Sequence, residues 1–234
     1  MEKDNGVKSI SVIFLCYNDE KTIGGLVEEA VNILQDLVSD YEVIVVNDGS
    51  TDGSYRILEN LAGRYLKFKA VHHAKNRGYG AAIKSGFRAS TKELIFYTDG
   101  DGQYDVKEVV KLLTVIDEAD VVNGFLYRRA DPVYRIILGK IYQALLYGLL
   151  KIKVRYVDCD FRLFKKKVID AIDLENDGGF ICAEMIKKIA DKGYKIKEIP
   201  VQHYRRKNGR SRFFNIKNIY GLITSFIKFY ATYR

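Results

Sequence analysis

Two carboxylates one residue apart, Asp99 and Asp101, follow the apolar run ELIFYT and are flanked by glycines. Hard cations such as Mg²⁺ and Mn²⁺ prefer oxygen ligands, and they commonly take one or two protein carboxylates together with substrate phosphates. The same pattern is also typical of a polar turn in which an aspartate, here Asp105, caps the next helix. The segment therefore predicts either a divalent-cation site or a simple turn.

A second acidic segment, NDGSTDG, begins at Asn47 and follows the apolar run EVIVV. The carboxylate of Asp48 could accept a hydrogen bond from an imide or amide N–H of a nucleobase. Alternatively, Asp48 and Ser50 form an Asx-type turn and cap the helix that follows. The position of the segment in the fold must distinguish the two interpretations.

The pattern of apolar residues predicts the elements that position these segments. β-rich apolar runs alternate with segments of helical spacing through the first half of the chain. The predicted strands are Ser9–Cys16, Glu42–Val46, Lys67–Val71, Glu93–Thr98 and one beginning at Asp120–Asn123; the predicted helices are Glu20–Leu37, Ser50–Ala62, Tyr79–Arg88 and Asp105–Glu118. This alternation indicates an α/β fold with a mainly parallel sheet and helices on both faces. Ligands bind beyond the carboxyl ends of strands in such sheets, so we expect the three acidic or polar strand ends to converge.

Two segments of the second half, Asp131–Lys153 and Phe213–Tyr233, have apolar residues at helical spacing and basic edges. We expect amphipathic helices that lie at a membrane interface or, alternatively, pack in a core or a dimer. The chain has no run of about 18 uncharged apolar residues, so no membrane-spanning helix is predicted.

Charge is distributed unevenly along the chain. Residues 1–125 contain 14 Lys/Arg against 20 Asp/Glu, whereas residues 126–234 contain 24 against 10. The basic half is either a solvated face or a surface that meets anions such as lipid phosphates or nucleic acid. Three widely spaced cysteines, Cys16, Cys159 and Cys182, form no disulfide or zinc pattern, which favours a reducing, cytoplasmic environment.

Six segments in order, LCYNDE, VVNDGSTDGS, TDGDGQYD, VDCDFRLF, GFICAE and RKNGRSR, resemble the family 2 inverting glycosyltransferases. The match is nearer to the dolichyl- and polyprenyl-phosphate mannosyl- and glucosyltransferase branch, and it covers roughly residues 8–212. The resemblance implies a GT-A (Rossmann-like) twisted sheet. It also implies a catalytic domain over residues 1–212 and a C-terminal amphipathic helix over residues 213–234.

The resemblance implies roles for individual residues. Leu15, Tyr17 and Asp19 would line the nucleoside pocket, and Asp48 would bind the base. Asp99 would contact the nucleotide-sugar, and Asp101 and Gln103, with Asp99 close by, would hold Mg²⁺ or Mn²⁺. Arg206 and Arg212 would clamp the diphosphate, which suits the bidentate geometry of guanidinium with phosphate. The expected catalytic residues are thus Asp99, Asp101 and Arg206.

The acceptor side departs from the resemblance. Leu126 stands where some relatives carry an arginine, and we expect Arg128 or Arg129 to replace it. The predicted acceptor residues are Arg128, Arg129, Lys140, Asp158 and Glu184. The three histidines, His72, His73 and His203, have no metal-ligand spacing and are assigned ordinary strand-end or surface roles.

Three functions follow from these features. The first is transfer of a hexose or N-acetylhexosamine from a UDP- or GDP-sugar to a polyprenyl phosphate, by an enzyme peripheral on the cytoplasmic face of the membrane. An anionic acceptor needs no strong base, and seven Lys/Arg between residues 128 and 155 would hold its phosphate. The second is transfer to a glycan or glycolipid hydroxyl, with Asp158, Asp160 or Glu184 as base. The third is a basic module binding anionic membranes or nucleic acid, which the strand-end carboxylates argue against, so no nucleic-acid partner is expected.

Overall fold

The structure is a computed structural model that describes residues 9–127, 133–206 and 216–233. Its centre is a seven-stranded sheet with the order β3-β2-β1-β4-β6-β5-β7. The strands are β1 Ser9–Cys16, β2 Asp40–Asn47, β3 Phe68–His72, β4 Leu94–Asp99, β5 Val121–Leu126, β6 Phe161–Lys165 and β7 Ile196–Val201. Neighbouring strands are parallel, except that β6 is antiparallel to β4 and β5. The predicted α/β fold with a mainly parallel sheet is confirmed.

Helices cover both faces of the sheet, as predicted. They are α1 Ile23–Leu37, α2 Ser54–Arg64, α3 Tyr79–Ala89, α4 Val109–Leu113, α5 Val133–Leu150, α6 Lys166–Asp170, α7 Ile181–Asp191 and α8 Ile216–Thr232. One core lies between the sheet and α1, α2 and α4, and the other lies between the sheet and α3, α5 and α7. The central strands β1 and β2 are buried on both faces, which explains their continuous runs of Val and Ile.

Helix α8 packs on the second core through one side. Phe229 and Phe226 lie against Phe180, with ring centroids 5.3 and 6.1 Å apart. Along its other side, apolar side chains are exposed: Ile219, Tyr220, Ile223, Ile227 and Tyr230. No helix in the described part of the chain is both long and apolar enough to cross a bilayer. The predicted boundary between residues 212 and 213 lies outside the described residues.

Two local predictions are corrected. The helix expected over Asp105–Glu118 is interrupted, because a 3-10 turn at Val106–Glu108 precedes α4 and another, at Ile116–Glu118, follows it. The break coincides with the β-branched run of residues 114–116, which loses side-chain freedom in a helix. Asp105 does cap this segment by accepting from the Lys107 N–H at 3.0 Å.

The helix expected to begin at Ser50 begins instead at Ser54, so Ser50 is not its cap. The Ser50 hydroxyl accepts the Asn18 N–H at 2.9 Å, which ties the loop after β2 to the loop after β1. Ser50 therefore positions two strand ends relative to each other.

Candidate active site

The loops after β1, β2 and β4 meet at one edge of the sheet, as the sequence predicted. The Asp48 N–H donates to the Cys16 carbonyl at 2.9 Å, and the Gly100 N–H donates to the Leu15 carbonyl at 2.8 Å. The Thr22 hydroxyl donates to the Gly100 carbonyl at 2.7 Å, which is a further link between the segment after β1 and the loop after β4. These backbone contacts hold the acidic segments in fixed relative positions.

Glycine is required where β4 leaves the sheet. A Cβ on Gly100 would lie 2.7 Å from the Leu15 carbonyl oxygen, and Gly102 has a φ of +75°. Backbone in that left-handed region strongly favours glycine. The turn brings Asp101 back under the sheet edge, where its Oδ1 accepts the Gln103 N–H at 2.9 Å.

Asp101 is buried and is paired with Arg206, whose guanidinium donates to Oδ2. Desolvation lowers the pKa of Arg206, but the nearby carboxylates raise it by more, so the pKa lies above its ordinary value. Among the predicted site residues, Asp101 and Arg206 are thus in direct contact. Arg206 follows β7, and Arg212, the second predicted clamp, lies outside the described residues.

Asp99 stands at the end of β4, partly buried. The antiparallel register pairs Thr98 with Phe161, which sets Asp99 beside Asp160. Desolvation raises the pKa of Asp99 well above its usual range, and the carboxylates of Asp160, Asp101 and Asp19 raise it further. Desolvation also raises the pKa of Asp160. The edge therefore concentrates negative charge, an arrangement that favours binding of a cation.

Asp19 belongs to the same cluster. Its Oδ2 accepts the Tyr17 N–H at 3.0 Å, which curls the loop after β1 toward Asp101. Desolvation is the main reason that the pKa of Asp19 rises to about 6, and Asp101 adds to the effect. Leu15, near the end of β1 and before this loop, is buried.

Gln103 joins the β4 loop to the segment after β7. Its amide donates to the Tyr204 carbonyl at 3.1 Å, and its Nε2 lies 3.2 Å from the His203 Nε2. The sequence assigned His203 an ordinary role, whereas the structure places it against a predicted metal residue. Its place directly after β7 was the available signal, because parallel strands end at the same edge.

Asp48 is buried, and its carboxylate already accepts three internal hydrogen bonds. Oδ1 accepts from the His73 ring at 2.6 Å and from the Arg77 N–H at 2.8 Å, and Oδ2 accepts from the Gly78 N–H at 3.0 Å. The carboxylate thus holds the loop between β3 and α3 at the sheet edge. Arg77, which this loop presents, is exposed.

The predicted acceptor residues are dispersed. Glu184 is buried and organises the loop before α7, since it accepts the N–H groups of Glu175 and Asn176 at 2.8 and 2.9 Å and pairs with Lys188. Asp158 and Lys140 are exposed, on the loop before β6 and on α5. Arg128 and Arg129 lie outside the described residues.

A buried arginine for which the sequence predicted no role, Arg162, joins the elements around Asp160. It donates to the Asn123 side chain at 2.5 Å, to the Tyr97 hydroxyl at 2.9 Å and to the Val157 carbonyl. These bonds join β6 to β4, to β5 and to the loop before β6. Asp160 lies beside Asp99 through the register of β4 and β6, and its Oδ1 lies 3.6 Å from the Cys182 sulfur.

The cluster contains the ligand types that Mg²⁺ and Mn²⁺ take, namely the Asp99 and Asp101 carboxylates and the Gln103 amide. Within residues 9–127, 133–206 and 216–233, no three or more His, Cys, Asp or Glu side chains are grouped so that they could hold a metal ion by themselves. Mg²⁺ in proteins commonly completes its coordination with substrate phosphates and water. The cationic Arg206 already bound to Asp101 shows that the site accommodates positive charge.

The whole fold resembles solved structures. A crystal structure of glucosyl-3-phosphoglycerate synthase from Mycobacterium tuberculosis with uridine diphosphate has a TM-score of 0.73 at 17% identity, covering 98% of this chain and 82% of that chain. The same enzyme with Mn²⁺, uridine diphosphate and glucosyl-3-phosphoglycerate has a TM-score of 0.69 at 17% identity, covering 89% and 75%. At this identity the likeness shows the fold, which is GT-A. Residues 11–173 match the sequence model of glycosyl transferase family 2, and this range includes the loops after β1, β2 and β4 and Asp160. The chain therefore belongs to glycosyl transferase family 2.

Proposed function

We propose that this glycosyltransferase moves a hexose or N-acetylhexosamine from a UDP- or GDP-sugar to a polyprenyl phosphate, with inversion and with Mg²⁺ or Mn²⁺ bound. The observation that carries the donor side is the convergence of Asp19, Asp99, Asp101 and Arg206 at one edge of the sheet. A nucleotide-sugar brings a diphosphate that this mixture of carboxylates and guanidinium suits.

In this proposal Asp99, Asp101 and Gln103 hold the cation. A bound divalent ion would offset the diphosphate charge and stabilise the departing nucleoside diphosphate. His203, 3.2 Å from the Gln103 amide, is an additional candidate ligand. Leu15, Tyr17 and Asp19 would line the nucleoside pocket beside the loop that Asp48 holds.

Arg206 takes a diphosphate oxygen in the donor complex. Its guanidinium donates to Asp101, and a divalent cation held by that carboxylate would compete with this contact. A phosphate oxygen offers the replacement, because guanidinium binds phosphate with two parallel N–H donors. Arg206 thereby passes from one anion to another within the same site.

The acceptor side is proposed from the surface of α5 and α8. Exposed apolar side chains on α5 are Ile137, Leu138, Ile141, Leu145, Tyr147 and Leu149, and α8 exposes five more. Lys140 on α5 and Lys228 on α8 are also exposed, and apolar faces with basic residues are typical of interfacial helices. A lipid phosphate is already anionic, so inverting attack on the sugar needs no strong general base. We therefore propose a peripheral enzyme on the cytoplasmic face of a membrane.

A second candidate, transfer to a sugar hydroxyl, is favoured by one observation. Asp160 lies beside Asp99, and desolvation raises its pKa. A general base is more effective when its pKa is closer to the operating pH, and the shift of Asp160 is in that direction. Glu184 is a poor base because its oxygens are occupied by two backbone N–H groups and Lys188. The alternative therefore rests on Asp160.

The test incubates the enzyme and Mn²⁺ with radiolabelled UDP- and GDP-sugars and three acceptors: polyprenyl phosphate, a soluble glycan and 3-phosphoglycerate, which occurs in the name of the structural neighbour. We expect label from one donor to enter the organic phase. Label on the glycan alone, lost in D160N, would establish the second candidate. Label on 3-phosphoglycerate alone would contradict the lipid acceptor while keeping an anionic one.

A further inference from the structure

His73, to which the sequence analysis gave an ordinary role, is a buried imidazole with a polar partner on each ring nitrogen. Nδ1 lies 2.6 Å from Asp48 Oδ1, and Nε2 lies 2.9 Å from the Ser85 hydroxyl on α3. The His73 N–H also donates to the Asn47 carbonyl at 2.9 Å, which continues the pairing of β2 and β3 by one residue. Backbone and ring are thus held together.

The chemistry of the partners sets the direction of one hydrogen bond. An ionised carboxylate accepts only, so Nδ1 carries a proton and donates to Asp48. The Ser85 hydroxyl can donate or accept, and it therefore satisfies Nε2 in either protonation state of the ring. The imidazole is locked in one orientation with its donor aimed at Asp48.

These contacts occupy both hydrogen-bond acceptor positions of one Asp48 carboxylate oxygen, Oδ1. A carboxylate offers about four lone-pair positions, two on each oxygen. Oδ1 spends both on His73 and the Arg77 N–H, whereas Oδ2 spends one on the Gly78 N–H. Within the part of the chain that the structure describes, one position on Oδ2 has no hydrogen-bond partner, so Oδ2 is the oxygen that could accept from a ligand.

The loop on which Asp48 acts has little freedom of its own. Gly78 has a φ of +102°, and a Cβ there would lie 2.5 Å from the Asp177 carbonyl oxygen. The N–H of Gly80 donates to the same carbonyl at 2.8 Å. The loop could therefore not follow a shift of Asp48, and such a shift would break the hydrogen bonds from the Arg77 and Gly78 N–H groups.

We propose that His73 is a positioning residue for donor binding: it orients Asp48 so that Oδ2 receives the nucleobase N–H while the loop presenting Arg77 stays at the sheet edge. This inference rests on the proposed role of Asp48 in donor binding. His73 touches no substrate and acts through Asp48 and the loop alone.

The test measures binding of UDP and of GDP to the full chain with Mn²⁺ by isothermal titration calorimetry, in wild type, H73A, H73N and S85A. We expect H73A to weaken binding of the preferred nucleotide about tenfold, which corresponds to about 1.4 kcal/mol. H73N restores most of the affinity, because its amide N–H reaches the place of Nδ1. S85A, which leaves the Asp48 contact intact, changes affinity less than H73A.

The D48N variant separates failure of this inference from failure of the donor assignment. If D48N binds as tightly as wild type, or wild type binds neither nucleotide, the donor role of Asp48 is wrong and the inference falls with it. If D48N weakens binding and H73A does not, His73 positions nothing. If H73A weakens binding and H73N gives no rescue, the effect is general loss of packing. Support requires the double variant H73A/D48N to bind no more weakly than D48N, since coupled residues are not additive.

Discussion

At the scale of single residues, the site is organised by the competition of cations for carboxylates. Desolvation raises the pKa of Asp99 and of Asp19, the nearby Asp101 carboxylate adds to both effects, and Arg206 opposes them. Arg206 forms an ion pair with Asp101, which is the carboxylate proposed to hold the metal. Each cation that enters the site must therefore redistribute the partners of Asp101.

Substitution of Arg206 should have opposite effects on two ligands. Without nucleotide, R206Q removes this partner from Asp101, and we expect Mn²⁺ to bind at least about tenfold more tightly by calorimetry, because a hydrogen bond to a charged group contributes about 1.5–3 kcal/mol. With Mn²⁺ present, the same variant should bind UDP and GDP more weakly, because the phosphate clamp is lost. The matched control is R205Q, an exposed neighbour. Equal Mn²⁺ affinity in R206Q and wild type would contradict the competition.

The raised pKa of Asp19, about 6, gives a pH-dependent prediction. A carboxyl whose folded pKa exceeds its unfolded value of 3.8 favours folding when protonated, and this contribution is lost as pH rises through 6. In metal-free buffer, D19N should therefore melt above wild type at pH 8, and the gap should narrow between pH 6 and pH 4. Melting curves from pH 4 to 8 measure it. A gap of constant size would show that desolvated charge on Asp19 is not the cause.

At the scale of elements, the strand ends act as a unit because short backbone contacts link them. Gly100 is one of the tight positions, lying between the Leu15 carbonyl and the Ile23 side chain. A glycine with open surroundings, Gly63 near the end of α2, offers a direct comparison.

We expect G100A to destabilise the protein by about 1–3 kcal/mol, the usual cost of overpacking, and to weaken nucleotide binding. G63A should be neutral or stabilising by up to about 1 kcal/mol, because alanine is a better helix former. Urea denaturation of both variants measures the difference. Wild-type stability of G100A would mean that the β1 and β4 loops are not held as described.

Sequence patterns predicted the parallel strands of the sheet, because continuous apolar runs such as ELIFYT and EVIVV can be recognised from the local sequence alone. They did not predict the direction of β6, since FRLFK is compatible with either direction and pairing is non-local. The sequence therefore offers Asp160 as a possible general base, but it does not predict that Asp160 lies beside Asp99. His203 and His73 were missed as site residues for the same reason: their partners lie 100 and 25 positions away in sequence.

At the scale of the whole molecule, two surfaces matter for the proposed function. The candidate site lies at the carboxyl ends of the strands, and exposed apolar side chains lie on the outer faces of α5 and α8. A lipid-phosphate acceptor would require both features in one molecule, because its phosphate reacts while its chain stays in the membrane.

The membrane proposal predicts that α8 binds lipid. We expect I223E/I227E to lose most of its co-sedimentation with vesicles of anionic phospholipid, because two charges would enter the interface. Its melting temperature should hold, since both side chains are more than half exposed, at 51% and 59%. The control L66E alters a fully exposed residue beyond α2. Unchanged sedimentation of the double variant would exclude this face as the membrane contact.

The central claim is that the strand-end carboxylates bind a nucleotide diphosphate through a divalent cation. Calorimetric titration of UDP and GDP into wild type, D101N and the exposed-site control D117N, with Mn²⁺ and with EDTA, tests it most directly. We predict that wild type and D117N bind one nucleotide only with Mn²⁺, and that D101N loses at least about 1.5 kcal/mol of binding, the value of a charged contact. Binding of equal strength in EDTA, or in D101N, would contradict the account.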